Sequence, residues 1–414
     1  MSWSRSRVRF KTPAARRVLT GVAALALATP LAACQGSDTG PGAVAPAAGS
    51  GTGSAAPAAA VDPVRIHLNV KRGATDVPVD RILEVSATGG SLDSVQVSSH
   101  AGDLPGTLSQ DGSSWTAGAR LEPGRRYVVT SVAHRSDGQQ VTRKAHFRAQ
   151  DLTLDQQTYA SVAPLEGETV GVGMPVIVTF DVPVTDKASI EKHMSVSASP
   201  RQPGSWHWIS DTEVHWRPRT YWKAGSDVSV NVDVNSVPAG AGIYGQEDRH
   251  VDFHIGDAHV YKVNLQTDEL RAFSNGKLLR TIPVTAGKDG FTTRSGTKVI
   301  IEKFKSKRMD SETIGIGKNS PEYYNLADVK YAMRLTYSGE FLHAAPWSVA
   351  SQGYDNVSHG CTGMSTENAK WLFDLSRRGD VVEYTGTDRP MTLTNGYGDW
   401  NESYSEWKQG SALA

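Results

Sequence analysis

The stretch Ser358-His359-Gly360-Cys361-Thr362-Gly363-Met364 sets a cysteine between a histidine and two glycines. Thiolate attacks carbonyl carbon, a neighbouring imidazole favours loss of the thiol proton, and glycines let backbone N–H groups approach a developing oxyanion. The pattern points to a cysteine acyltransferase. A second histidine, His343, stands 18 positions before Cys361 in Tyr337-Ser338-Gly339-Glu340-Phe341-Leu342-His343-Ala344-Ala345-Pro346-Trp347, a strand-like run over 337–343 closed by a proline turn. That separation is too large for one helix face, so the two histidine-bearing segments must meet through neighbouring strands or a returning loop. A lone cysteine is commonly a packed core residue. Here its flanking His-Gly and the second histidine favour catalysis.

The elements that must position these residues are mostly strands. After the motif, Ser365-Thr366-Glu367-Asn368 reads as a helix start, Ala369, Leu372, Phe373 and Leu375 as its apolar side, and Arg377-Arg378-Gly379 as its end. The start lies just past Cys361, so the positive end of the helix dipole is expected to favour thiolate. Ahead of the motif, 260–265 and 269–274 alternate, Asn275-Gly276 is a hairpin turn and 277–286 returns, with further strand-like runs over 291–307 and a loop at Ser320-Pro321-Glu322-Tyr323-Tyr324.

Further upstream, short strands over 64–70, 81–87, 91–98, 127–134 and 141–148 are separated by Gly89-Gly90, Asp111-Gly112, Pro123-Gly124 and Asp137-Gly138, the rhythm of a small sandwich. The pattern repeats from Asp151 to about Ile255, and both units close on an alternating strand, 144–148 and 250–254. Trp206, Trp208, Trp216 and Trp222 fit a sandwich core better than a carbohydrate platform. His250 and His254 share a strand face but have no third ligand nearby, so neither a metal nor any other cofactor is expected.

The first residues form a targeting segment. Six basic residues between Arg5 and Arg17 precede an apolar run from Val18 to Leu31 that is short for a membrane span, and the run ends in Leu31-Ala32-Ala33-Cys34. This resembles a lipobox, which implies acylation of Cys34, export and an anchor in the outer face of the cytoplasmic membrane, with the export route left open. The 26 residues from Gln35 to Ala60 are Gly/Ala/Pro/Ser-rich and read as a tether reaching roughly 30 Å. Lys plus Arg and Asp plus Glu number 43 each, which gives no electrostatic reason to expect a nucleic-acid partner.

His343, the gap to Cys361 and the Ser358-His359-Gly360-Cys361 run resemble the L,D-transpeptidase catalytic domain, also called the YkuD domain, in its actinobacterial form. Gly398-Asp399-Trp400-Asn401 with Trp407 resembles the short C-terminal extension of those enzymes. The expected organisation is a lipoprotein signal over 1–34, a linker over 35–61, immunoglobulin-like domains over 62–150 and 151–256, a mixed, mostly β catalytic domain over 257–385 and the extension over 386–414. The resemblance implies peptidoglycan stem peptides as substrate: a tetrapeptide stem donates its diaminopimelate acyl group with loss of D-Ala, and a second stem's diaminopimelate amine accepts it in a 3→3 cross-link. It also implies β-lactams, carbapenems above all, as covalent inhibitors. Alternative readings are an L,D-carboxypeptidase and a wall-binding lipoprotein with an idle catalytic domain.

Carried over by residue, Cys361 is the nucleophile, His343 the base, and His359 a supporting hydrogen-bonding group beside Gly360. The resemblance also implies that the Ala344 carbonyl orients the base. Tyr324 is expected on a flap over the pocket, Met309 and Trp347 at apolar walls, and Ser338, Gly339 and Ser358 where backbone or loop meets substrate. Thr362-Gly363 departs from the aliphatic residue and Asn or Arg usual after the cysteine. Thr293-Arg294-Ser295-Gly296-Thr297 lacks a usual proline, and Ile314 stands where relatives place a second tyrosine.

Overall fold

The structure, a computed structural model, describes residues 63–414. The targeting segment, Cys34 and the whole linker lie outside the described residues.

The described chain is mainly β. Its first unit has one sheet ordered Arg65–Leu68, Glu84–Thr88, Ser114–Ala117, Gly106–Leu108 and another ordered Gly102–Leu104, Ser91–Ser99, Arg126–His134, Gln140–Arg148. Val85, Trp115, Tyr127 and Phe147 from these strands, with Val79 and Leu83 from the segment before Glu84, form one core. In the second unit, Ala160–Ala163, Val176–Phe180, Glu213–Pro218 and Gly204–Trp208 face a sheet of Thr169–Val170, Arg249–Ile255, Asp227–Val232 and Met194–Ser199. Trp206, Trp208, Trp216 and Trp222 are all buried in this second core. His250 and His254 bond separately to Asn231 and Asp227.

The second core extends into the C-terminal part of the chain, taking in Val299, Ile301, Val381 and Tyr397. Arg217 lies beneath Trp400 and Trp407, at 4.9 and 4.7 Å from their ring centroids, and donates to the Glu402 carbonyl. The residues of the C-terminal extension are thereby fastened to the second sandwich.

The last part has two sheets. Five strands run in the order Lys277–Pro283, Glu269–Ser274, His259–Asn264, Val381–Thr385, Gly296–Val299. Four more run Glu302–Asp310, Asn325–Arg334, Phe341–Ala344, Thr362–Met364. Tyr261, Ile282, Met333, Leu342, Met364 and Tyr384 pack between them with the helix Thr366–Leu375.

Two local readings are corrected by the structure. The strand expected from Tyr337 begins only at Phe341, because Thr336–Glu340 forms a turn with Gly339 at φ +97°. The longest strand of the catalytic region, Asn325–Arg334, gave no sequence signal, since its first four residues are all exposed and no two-residue alternation develops.

Candidate active site

The register of two short strands brings the key residues together. Phe341–Ala344 and Thr362–Met364 are parallel neighbours, with Leu342 opposite Thr362, His343 opposite Gly363 and Ala344 opposite Met364. Leu342, Ala344 and Met364 turn into the core. By the two-residue period of a strand, His343 and Gly363 face the other way, and so does Cys361, which just precedes its strand. His343 and Cys361 therefore share one face and line one cavity of about 240 Å3 with Met309, Tyr324, Trp347 and His359.

His343 is buried and its Nδ1 donates to the Ala344 carbonyl at 2.8 Å, leaving Nε2 as the acceptor nitrogen. Burial lowers its pKa below the usual 6.5, so the ring is neutral at neutral pH and able to take a proton. The half-exposed Trp347 indole stacks on it at 5.9 Å.

Cys361 is a free thiol, partly buried, whose Sγ donates to the Gly339 carbonyl at 3.4 Å. Burial pushes the thiol up to about 12, partly offset by the Phe341 backbone N–H directed at the sulfur. This overturns the expectation of a lowered thiol pKa. The helix begins after Ser365, whose side chain caps the Asn368 N–H. Four extended residues separate it from Cys361, about 13 Å at strand rise, beyond the short reach of a helix terminus. The resting site is a neutral thiol with a neutral imidazole, so proton transfer accompanies attack.

The loop before the nucleophile is held by its own side chains. Ser358 Oγ donates to the Cys361 carbonyl at 2.6 Å and accepts from the Gly360 N–H at 3.0 Å. Thr293 Oγ1 donates to the Gly360 carbonyl at 2.9 Å. Gly360 sits at φ +117°, so its glycine is required for the backbone path. The Gly360 N–H goes to Ser358 and the Gly363 N–H to the Thr285 carbonyl at 2.8 Å. Neither glycine therefore has an N–H free for an oxyanion, a second departure from the sequence expectation.

His359 donates from Nε2 to Glu322 at 2.7 Å and packs against Phe291 and Tyr324. Glu322 also accepts from Lys288 at 2.7 Å, and these two partners hold its carboxyl below the usual range. The segment 311–324 is thus tied across the site at its far end. At its near end Ser311, fully buried, accepts from the Tyr324 N–H and donates to the Ile316 carbonyl. Beneath this flap a second cavity of about 200 Å3 is lined by Met309, Ile314, Tyr324, Tyr337, Gly339 and Cys361, with Lys307, Arg308 and Arg334 at its basic side. Of the expected substrate contacts, Met309, Tyr324 and Gly339 line this cavity, and Met309, Tyr324, Trp347 and Ser358 line the first. Ser338 lines neither. Its hydroxyl accepts from Arg294 and Asn395.

The chain also has similarities to known proteins. Residues 258–383 match the L,D-transpeptidase catalytic domain, and residues 74–238 match a bacterial Ig domain. L,D-transpeptidase 2 of Mycobacterium tuberculosis is 36% identical over 352 residues, 84% of this chain and 85% of the relative. The chain belongs to the L,D-transpeptidase family. L,D-transpeptidase 5 of the same species is 30% identical over 82% of this chain and 75% of its own. A solved L,D-transpeptidase structure in complex with imipenem is 39% identical, covering 55% of this chain and 98% of its own with a TM-score of 0.49.

Within this L,D-transpeptidase the departures at 362–363 and within 293–297 have physical counterparts. A Cβ at Gly363 would lie 2.8 Å from Ala345 Cβ, too close for any side chain without movement. Thr362 turns inward and bonds the Tyr384 hydroxyl at 2.8 Å. Arg294 pairs with the buried Glu340 at 2.8 Å, and Lys298 pairs with its other oxygen at 2.5 Å. Sequence reasoning passed over Glu322, Glu340 and Lys298. Isolated charges in strand-like or loop segments read as solvated until the fold shows what they meet.

Proposed function

We propose that Cys361 and His343 carry the L,D-transpeptidase reaction on peptidoglycan stem peptides. The observation that carries this reading is their common face on adjacent parallel strands, with the His343 Nδ1 committed to Ala344 and Nε2 left to accept a proton. Cys361 gives its proton to His343 Nε2, the sulfur adds to the diaminopimelate carbonyl of a tetrapeptide stem, and the C–N bond to D-Ala breaks as the departing nitrogen takes that proton. The resulting thioester is attacked by the side-chain amine of a second stem. That amine's proton passes to His343, the C–S bond breaks and the thiol is restored with a 3→3 cross-link made.

Two cavities meeting at one sulfur favour transfer over hydrolysis, because donor and acceptor then have separate approaches. Met309 and Trp347 supply apolar walls, Tyr324 covers the sulfur, and His359 fixes the loop through Glu322. Muropeptides made by the purified protein, resolved by mass spectrometry, test this. Cross-linked dimers with one D-Ala released per bond are expected, absent in Cys361→Ser, and release of D-Ala without dimers would favour the carboxypeptidase. Acylation of Cys34 would tether the enzyme to the membrane and leave it acting in the wall. The Leu31-Ala32-Ala33-Cys34 run supports this, and a mature chain free of lipid would refute it.

A further inference from the structure

Near Cys361, and lining neither cavity, lies a cluster of charge that the acyl-transfer steps above do not use. Lys298 is fully buried and Glu340 nearly so. The Lys298 ammonium sits 3.7 Å from the centroid of the Tyr384 ring, and the Tyr384 hydroxyl is bonded to Thr362, the residue after the nucleophile. Glu340 follows Gly339, whose carbonyl receives the Cys361 thiol. Its side chain approaches Gly360, the residue before the nucleophile: a Cβ there would be 3.8 Å from Glu340 Cγ. Its Oε1 accepts from Arg294 and its Oε2 from Lys298, and its backbone N–H donates to Thr336 Oγ1. The pair thus lies beside Gly360 and Gly339 through Glu340, and reaches Thr362 only through the Tyr384 ring beneath Lys298.

We propose that Lys298 and Glu340 are positioning residues of the acyl-transfer centre, their ion pair balancing charge near Cys361 while fixing the Gly339 carbonyl on which the thiol rests. A buried pair of this kind is a poor source of stability, since well-packed apolar residues serve as well or better. Its consequence here lies in what each partner does to the sulfur. The Glu340 carboxylate opposes a negative sulfur and the Lys298 ammonium favours it. Burial draws Lys298 down to about 8 even with Glu340 beside it, so the balance is sensitive to either partner.

The other charged or titratable groups around the sulfur are few. His343 and His359 flank it on the side of the first cavity. On the flap side stand Tyr324 and Asp310, with Lys307, Arg308 and Arg334 at the rim. Tyr384 lies beneath, raised far above its usual range by burial. None of these hydrogen-bonds Lys298 or Glu340, and only the Tyr384 ring packs against Lys298, so altering the pair removes none of their hydrogen bonds.

The inference rests on Cys361 as nucleophile, and its test separates the two claims. The rate of iodoacetamide alkylation at Cys361 is followed against pH by peptide mass spectrometry, using the full chain. At a fixed pH of about 6, well below the Lys298 pKa of about 8, Lys298→Met should slow alkylation and Glu340→Gln should speed it, each roughly tenfold, or about one unit of displacement along the profile. The double variant should return near wild type. Arg294→Gln, at the partly exposed end of the network, should fold and move the profile upward by a smaller step. Shifts in one common direction, or none in folded variants, overturn the proposal, because a purely structural role would lower the Tm without opposing displacements. Cys361→Ser that still forms cross-linked dimers would instead overturn the assignment of the nucleophile and leave the profiles readable.

Discussion

Asp399→Asn tests the joint that holds the C-terminal extension to the second sandwich. His215, on the strand Glu213–Pro218, is buried and donates from Nδ1 to Asp399 at 2.7 Å and from Nε2 to Glu213 at 3.1 Å. With both nitrogens donating, the ring is an imidazolium. Burial opposes that charge, but Asp399 and then Glu213 reverse the effect and hold the imidazole at about 9, against 6.5 when free. The difference corresponds to about 3 kcal/mol in favour of the folded, paired form. Since the folded pKa is raised, this stability is fully present below pH 6.5 and is lost as pH rises through about 9. It amounts to about 2.5 kcal/mol at pH 7. Asn keeps the shape and one acceptor but removes the charge. Glu213 still pairs with the ring, so the loss at pH 7 is at most this amount, up to about 5–10 °C in Tm for a cooperative unit of roughly 150–250 residues. Calorimetry of wild type and Asp399→Asn between pH 6 and pH 10 should show curves well apart at the acid end and converging above pH 9. Parallel curves, or a variant as stable as wild type at pH 6, would refute the imidazolium and the magnitude built on it.

Four further outcomes are expected. His343→Ala should slow Cys361 acylation by roughly 100- to 10,000-fold in stopped-flow assays, and the wild-type rate should fall on acidification only below pH 6.5, where the buried imidazole charges. His359→Ala should do less damage, by loosening the Glu322 tie, and an opposite ranking would reverse the roles of the two histidines. A carbapenem should leave one covalent adduct per chain on Cys361, read by intact mass and absent in Cys361→Ser, since ring opening yields a thioester with no departing group; a folded protein with a titratable thiol and no adduct would exclude this site. Gly363→Asn should cost about 1–3 kcal/mol in thermal unfolding because its Cβ has no room against Ala345, and an unchanged Tm would show that the strand yields.

Much of the site was legible because its signals are local. A cysteine flanked by histidine and glycine, a proline after the second histidine and a serine-capped helix are each set by chemistry within a few residues, and the structure has them at Cys361, His343 and Ser365. The repeated short strands with glycine turns likewise announced a β architecture, because a two-residue period fixes which side chains turn inward whatever the partner. What the sequence could not decide depends on register and burial. Eighteen residues separate His343 from Cys361, and only the parallel pairing puts them on one face. The thiol pKa followed the same rule: the nearby helix start suggested thiolate, but an intervening strand holds the helix away, and burial raises the thiol instead. Glu322, Lys298 and Glu340 are ordinary surface-type residues in the sequence. They acquire meaning when the fold withdraws water from two of them and stretches the third across the flap, since a charge's role is set by what replaces its solvent.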